Sequence, residues 1–234
     1  GGTVGGCRAG EEIYKFGETV LRVKPVGRVI QNADVTSRTL WPASEILCRF
    51  IERNLPIFEG KSILELGSGV GLCGLFAATV TKQKVVLTDG DPECLETLEH
   101  NSALNFPDRK NISVRRLMWG KNCVDLLQEF ESFEVVIGSD LIYMPDIMEP
   151  LVQTIKDLLR AFHEQCLDVP LFLSFVPRSF VSAEKLLTYC EEHGIGVREY
   201  ALDSFLTPAE IRGKGSIGTT IRMKGAFVFE FRLK

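Results

Sequence analysis

The chain has 234 residues, 45% of them hydrophobic and 25% charged, with a net charge of −4. That length suits one large domain, or one domain with an extension, and suffices for a substantial core. The acidic balance disfavours a broadly basic nucleic-acid surface, and no apolar run approaches the roughly 20 residues of a membrane span.

Residues 1–10 are small and glycine-rich and do not read as a secretory signal. The seven cysteines are scattered and contain no CxxC pair. Reduced thiols in a cytoplasmic or nuclear protein are therefore expected, several of them packed as small apolar groups. Cys190 and His193 have the spacing of half a zinc site, but no second half accompanies them, so no metal is expected.

Residues 13–31 alternate apolar and polar side chains, punctuated by Gly and Pro, and predict one or two edge strands ahead of the main domain. Pro42 suits a first helical turn, and Ile46, Leu47, Phe50, Ile51 and Leu55 form a helical stripe that Pro56 and Gly60 end. Ile63, Leu64 and Leu66 then read as a short buried strand. Gly67, Gly69 and Gly71 break it, and residues 72–78 enter a helix. Residues 84–89 predict a second strand ending on Asp89, and Asp91-Pro92 opens a helix with Leu95, Leu98, Ala103 and Leu104 on its apolar face. Residues 111–117 alternate as a strand running into Met118-Trp119-Gly120, and residues 121–131 read as a weak helix or loop. Residues 134–138 are a buried strand ending at Ser139-Asp140, and residues 146–163 a long helix. A strand over 170–176, a helix over 183–193 stopped by Gly194 and a strand over 196–202 follow. Thr207 caps a short helical piece, residues 213–218 are glycine-rich, and residues 226–233 form the last strand.

Strands and helices thus alternate, which predicts an α/β fold with a doubly wound, mainly parallel sheet. The last two strands lack a full-length helix between them, so the final strand is expected to insert antiparallel. Such sheets bind ligands at the carboxyl ends of their strands. The residues there are Glu65 with the GxGxG turn, Asp89, Trp119, and Asp140 with Tyr143. Each alone has a structural alternative. Asp89 could cap the following helix, Trp119 could be core, Asp140 could cap a turn, and Glu65 could bond nearby backbone. Their occurrence at successive strand ends weakens all four alternatives together. The turn lacks the third-glycine spacing of GxGxxG, and the chain has no GxxxxGK[ST]. A ligand with a ribose and no pyrophosphate fits, and S-adenosylmethionine is such a ligand.

The run Ile63-Leu64-Glu65-Leu66-Gly67-Ser68-Gly69-Val70-Gly71-Leu72 resembles motif I of the seven-β-strand methyltransferases. Together with Leu40-Trp41-Pro42-Ala43-Ser44, Leu87-Thr88-Asp89, Met118-Trp119-Gly120 and Ser139-Asp140-Leu141-Ile142-Tyr143, the chain is similar to methyltransferase family 16 over roughly residues 40–233. Two departures are Met118, where relatives often carry an acid, and the unassigned run Val176-Pro177-Arg178-Ser179. The resemblance implies a Rossmann-like, seven-stranded class I methyltransferase domain over residues 40–234, preceded by a β-hairpin extension over residues 1–39. It implies S-adenosylmethionine as cofactor and S-adenosylhomocysteine as product. Glu65, Gly67 and Gly69 would meet the methionyl part, Asp89 the ribose and Trp119 the adenine. Trp41 would close over the cofactor, and Asp140 and Tyr143 would receive the acceptor. The implied reaction is methylation of a lysine in a non-histone protein such as a translation factor or chaperone, by a monomer in the cytoplasm or nucleus. A methyltransferase for small molecules or nucleic acid, and an inactive fold serving as a binding module, are the competing readings.

Overall fold

The computed structural model describes residues 11–25, 42–121, 123–130, 132–142, 145–177, 182–212 and 226–234. The first described elements are β1 (Glu12–Phe16) and β2 (Thr19–Val23), paired antiparallel through a turn at Gly17. Helices α1 (Pro42–Arg53) and α2 (Leu55–Phe58) follow. Then come β3 (Ile63–Leu66), α3 (Leu72–Val80), β4 (Val85–Asp89), α4 (Pro92–Asn105), β5 (Ile112–Arg116), α5 (Cys123–Phe130), β6 (Val135–Ser139), α6 (Met148–Glu164), β7 (Leu171–Phe175), α7 (Ala183–Glu192), β8 (Ile195–Ala201), α8 (Pro208–Arg212) and β9 (Phe227–Leu233).

The seven strands from β3 onward form one sheet in the order β5-β4-β3-β6-β7-β9-β8. β3 to β7 pair in parallel, and β9 inserts antiparallel between β7 and β8, as its short connection predicts. From β3 the chain winds outward through β4 and β5, then returns to lay β6 on the other side of β3. That reversal makes the β3–β6 boundary the switch point of the sheet, where neighbouring loops diverge and leave a crevice.

Each face of the sheet has its own apolar layer. One joins α1, α3, Leu98 of α4 and the inner side chains of the hairpin. The other joins α5, α6 and α7, with Leu151, Ile155, Leu158 and Phe162 forming the α6 stripe read from the sequence. Tyr14, Phe16, Leu21 and Val23 of the hairpin are buried in the first layer, so the hairpin shares the core of the main sheet. The expected boundary at residue 39 falls outside the described residues.

Two helix readings need correction. Pro56 does not end α1. Asn54 does, its Nδ2 donating to Phe50 O at 2.8 Å, and Pro56 sits in the first turn of α2. Leu55 accordingly leaves the buried stripe and is 41% exposed. In α4 the apolar positions Leu95 and Leu104 are only half-buried and Ala103 is exposed, while Asn101 is fully buried. Residues 121–131, read as weak, contain α5, anchored by Leu126 and Leu127. The capping signals hold. Asp91 Oδ1 accepts from Glu93 N at 2.8 Å at the start of α4, and Thr207 and Glu210 form a reciprocal capping box on α8. Cys48, Cys73, Cys94 and Cys190 are buried free thiols, and Cys123 is buried as well.

Helix α1 matters most for the site. Phe50 packs on Phe172 of β7 and Tyr200 of β8, with centroids 5.3 and 5.2 Å away. At its N-terminal end Ser174 Oγ donates to Ala43 O at 2.7 Å, and Ser44 Oγ lies 2.9 Å from Ser139 Oγ. The first turn of α1 is thereby tied to the carboxyl ends of β6 and β7.

Candidate active site at the switch point of the sheet

A cavity of about 500 Å³ opens at the carboxyl ends of β3, β4 and β6. Gly67, Gly69, Asp89, Trp119 and Asp140 line it, joined by Ser44, Cys73, Met118 and Ser139. Its size falls within the range of small-molecule sites.

The glycine loop is held from several directions. Ser68 N donates to Thr88 O at 2.8 Å and Thr88 N to Ser68 Oγ at 3.1 Å, which carries the β3–β4 pairing past the end of the strand. Gly67 has a φ of +57°, and a Cβ there would lie 2.6 Å from Leu141 Cδ2 and 2.9 Å from Trp119 Cζ2. Only a glycine lets these two side chains close on the loop. Leu141 also fills the space beside Gly138, so it wedges the β3 and β6 loops together.

Asp89 ends β4 with both oxygens anchored. Oδ2 accepts from Gly69 N at 2.9 Å and Oδ1 from Asp91 N at 3.0 Å. The helix-capping alternative is thus settled in favour of Asp91, and Asp89 instead braces the loop and the helix start. Burial lifts its pKa above the usual carboxylate value, opposed by the N–H groups of Asp91 and Gly69. A carboxylate oxygen holding one N–H still has acceptor capacity for ligand hydroxyls.

Asp140 follows β6, its N–H donating to Ser174 O at 2.9 Å. It is 5% exposed and has a φ of +54°, a conformation few residues other than glycine adopt. Strained backbone of this kind collects at working sites.

Glu65 stands apart. It is 1% exposed and does not line the cavity. Its carboxylate lies against α3, where a Cβ on Gly74 would come within 2.5 Å of Oε2. That oxygen has no hydrogen-bond partner among the described residues. Burial pushes its pKa up to about 8, the Ser68 hydroxyl and Gly74 N–H only partly opposing it. The unfolded chain loses this proton near the ordinary Glu value, roughly 4.3. Between that value and about 8 the folded protein holds a proton that the unfolded chain has released. Stability therefore falls as pH rises through this window, by at most about 1.4 kcal/mol per unit. Melting temperatures at pH 5.5 and 8.5 will show this decline in the parent, and Glu65→Gln will flatten it. An equal slope in both proteins would show that another group carries it.

Trp41 and Tyr143 lie outside the described residues, as does the glycine-rich run 213–218.

A profile of the lysine methyltransferase family matches residues 29–169 of the chain. The chain belongs to this family, methyltransferase family 16. It is 35% identical over 121 residues to the protein N-lysine methyltransferase METTL21A of Danio rerio, covering 51% of this chain and 54% of that protein. It is 31% identical over 156 residues to the calmodulin-lysine N-methyltransferase of Arabidopsis thaliana, covering 66% of this chain and 50% of that protein. The chain thus spans about half the length of these curated relatives. The fold is shared with the magnesium protoporphyrin IX methyltransferase of Synechocystis PCC 6803, solved with bound SAH, at a TM-score of 0.54 and 13% identity, covering 82% of this chain and 80% of that one.

In this family member the cavity wall includes motif residues whose part in the site is not legible from sequence, among them two hydroxyls. Ser44 and Ser139, hydrogen-bonded to each other, stand beside Asp140. The signal for Ser139 was its place directly before a strand-end acid. Ser44 carried no local signal, because it reaches the cavity only through the seating of α1.

Proposed function

We propose that this protein transfers a methyl group from S-adenosylmethionine to the side-chain amine of a lysine in a non-histone protein. The observation that carries the proposal is the cavity at the β3–β6 switch point, where the glycine loop, Asp89, Trp119 and Asp140 converge in a chain of the lysine methyltransferase family.

The residues present suit this cofactor. Asp89 offers acceptor capacity at a strand end, matched to a ribose diol. Trp119 presents a half-buried ring on the same wall, matched to adenine. The close-packed glycine loop brings backbone within reach of the methionyl part. Glu65, behind the loop, would act on the bound cofactor only through the loop, which it backs from the α3 side. When bound, S-adenosylmethionine supplies an already activated sulfonium methyl group.

The protein's task is then to align the acceptor. A lysine with an ordinary pKa of about 10.4 needs roughly 4–5 kcal/mol to become neutral at pH 7. A mostly apolar cavity reduces that cost by disfavouring the ammonium. Asp140 pulls the other way through its charge, so its role is to receive and orient the incoming ammonium; Tyr143, three positions on in the sequence, would supply a ring face and a hydroxyl to the same amine. Proton loss to solvent before final docking is consistent with this arrangement.

Relatives of the chain include calmodulin-lysine and EEF1A lysine methyltransferases. We propose a translation factor or chaperone of the cytoplasm or nucleus as the substrate class. Among the described residues no helix is long and apolar enough to cross a membrane.

Incubation with cell extract and methyl-labelled cofactor, followed by mass spectrometry of labelled proteins, tests the proposal. Methyl-lysine in a protein supports it. Label confined to small molecules or nucleic acid, or tight cofactor binding with no transfer, would overturn it. Asp89→Ala is expected to raise the dissociation constant for S-adenosylhomocysteine at least about tenfold, since hydrogen bonds to a charged group contribute about 1.5–3 kcal/mol each. Calorimetry reads this directly, and an unaltered constant would remove Asp89 from the ribose site.

A further inference from the structure

Side-chain amides, rather than another strand, seat the hairpin on α4. Asn105 Oδ1 accepts from Arg22 N at 2.9 Å, and its Nδ2 donates to Arg22 O at 2.7 Å. One turn earlier Asn101 repeats the pattern. Its Oδ1 accepts from Lys24 N at 2.8 Å and its Nδ2 donates to Lys24 O at 3.0 Å. The spacings agree. Four residues along a helix rise roughly 6 Å, and two along a strand roughly 6.7 Å. Two carboxamides one turn apart therefore complete the edge of β2 as a neighbouring strand would.

Asn101 makes one further bond. Its Nδ2 also donates to Val70 O at 2.8 Å. Val70 lies on the cavity wall between Gly69 and Gly71, whose φ angles are +55° and +90°. The same loop is held at Gly69 N–H by Asp89. Both donors of the Asn101 amide are thus committed, one to the hairpin and one to the loop, and the side chain is 0% exposed. The Lys24 peptide fixes the plane of the carboxamide, and that plane aims the second N–H at Val70 O.

We propose that Asn101 is a positioning residue for the cofactor loop, and that the N-terminal hairpin sets the loop's shape through it. The hairpin is then a working part of the cofactor site. The affinity measurement below rests on the cofactor reading given above, whereas the exchange measurement does not.

Asn101→Asp keeps the side-chain size and the acceptor for Lys24 N–H, but turns an oxygen toward the carbonyls of Lys24 and Val70. Asn105→Asp makes the same change at the Arg22 rung without touching the loop. Hydrogen exchange in the ligand-free protein reads the amides of Gly69 and Gly71, which donate to Asp89 and Ser68. Calorimetry reads S-adenosylhomocysteine affinity. Asn101→Asp is expected to speed exchange at both loop amides and to weaken binding, each about tenfold, the scale of one buried hydrogen bond lost. Asn105→Asp is expected to loosen the Arg22 amide while leaving loop exchange and affinity within about twofold, because the loop contact survives. A merely structural role predicts equal affinity losses from both variants, and that result would overturn the proposal. So would unchanged loop exchange in Asn101→Asp. If the parent protein binds no S-adenosylhomocysteine, the cofactor reading fails by itself and the exchange comparison still decides the role of Asn101. Should Asn101→Asp not fold, Asn101→Ser, too short to bridge both carbonyls, carries the same expected outcome.

Discussion

Asp140→Asn is expected to lower methyl transfer about a hundredfold while S-adenosylhomocysteine affinity stays within a few-fold, the scale of a misaligned reacting group. The substitution is chosen for its backbone. Asp140 sits at a φ of +54°, and asparagine tolerates that region as well as aspartate does. The Ser174 O contact is made by the main chain, so it survives. Charge is what changes. An ammonium about 4 Å from a carboxylate gains up to about 4 kcal/mol at the effective dielectric of a protein surface, and a fraction of that spans two decades in rate. The loss should appear in kcat and in KM for the protein acceptor, with KM for the cofactor unmoved. Asp140→Ala should lose as much activity and also fold less stably, because alanine at positive φ costs about 1–2 kcal/mol. Unchanged turnover in the Asn variant would end the assigned role.

The second large effect concerns Gly74, in the middle of α3. By propensity alone, Gly74→Ala should stabilise a helix interior by about 1 kcal/mol. The packing reverses the sign. A Cβ there would lie 2.0 Å from Leu87 Cδ2 and 2.5 Å from Glu65 Oε2. Both neighbours are buried in central strands, so neither side chain can swing away cheaply. Overpacking of a tight core costs about 1–3 kcal/mol, and displacing a buried carboxyl adds to it. A net loss of about 1–2 kcal/mol is expected, lowering the melting temperature by about 2–4 °C per kcal/mol for a chain of this size. Gly196→Ala in β8 is the control. Its Cβ would meet nothing closer than 3.6 Å, and its melting temperature should hold or rise slightly. A stabilised Gly74→Ala would mean that α3 can move off β3 without cost.

The contrast between Gly74 and the glycines of the loop marks the limit of local reading. Gly67, Gly69 and Gly71 announced themselves by interrupting an apolar run. Gly74 sits in a helical run and looks like any small helix residue. Its necessity comes from Leu87 and Glu65, 13 and 9 positions away in the chain. Asn101 is a similar case. The α4 pattern pointed to Leu95, Leu98, Ala103 and Leu104, yet the fully buried polar residue is Asn101. A polar side chain holds that place because the Lys24 peptide and the Val70 carbonyl must be satisfied, and among the described residues no strand is there to do it.

The corrected end of α1 shows the same division. Pro56 reads as a stop because proline is unfavourable inside a helix, but it is equally suited to a first turn. Asn54, bonded to Phe50 O, chose between the two.

The sequence by itself determined the strand-end residues Asp89, Trp119 and Asp140, the alternation of strands and helices, and the antiparallel last strand. These depend on periodicity, punctuation and connection length, all carried within a few residues. Tertiary structure alone decided that β6 lies against β3, which is what brings Asp140 to the glycine loop. It also decided that α1 docks Ser44 beside Ser139, that Glu65 stands behind the cavity rather than on its wall, and that Asn101 joins hairpin to loop. Each of these rests on contacts between segments far apart in the chain, where a single side chain is placed by the packing of several elements at once.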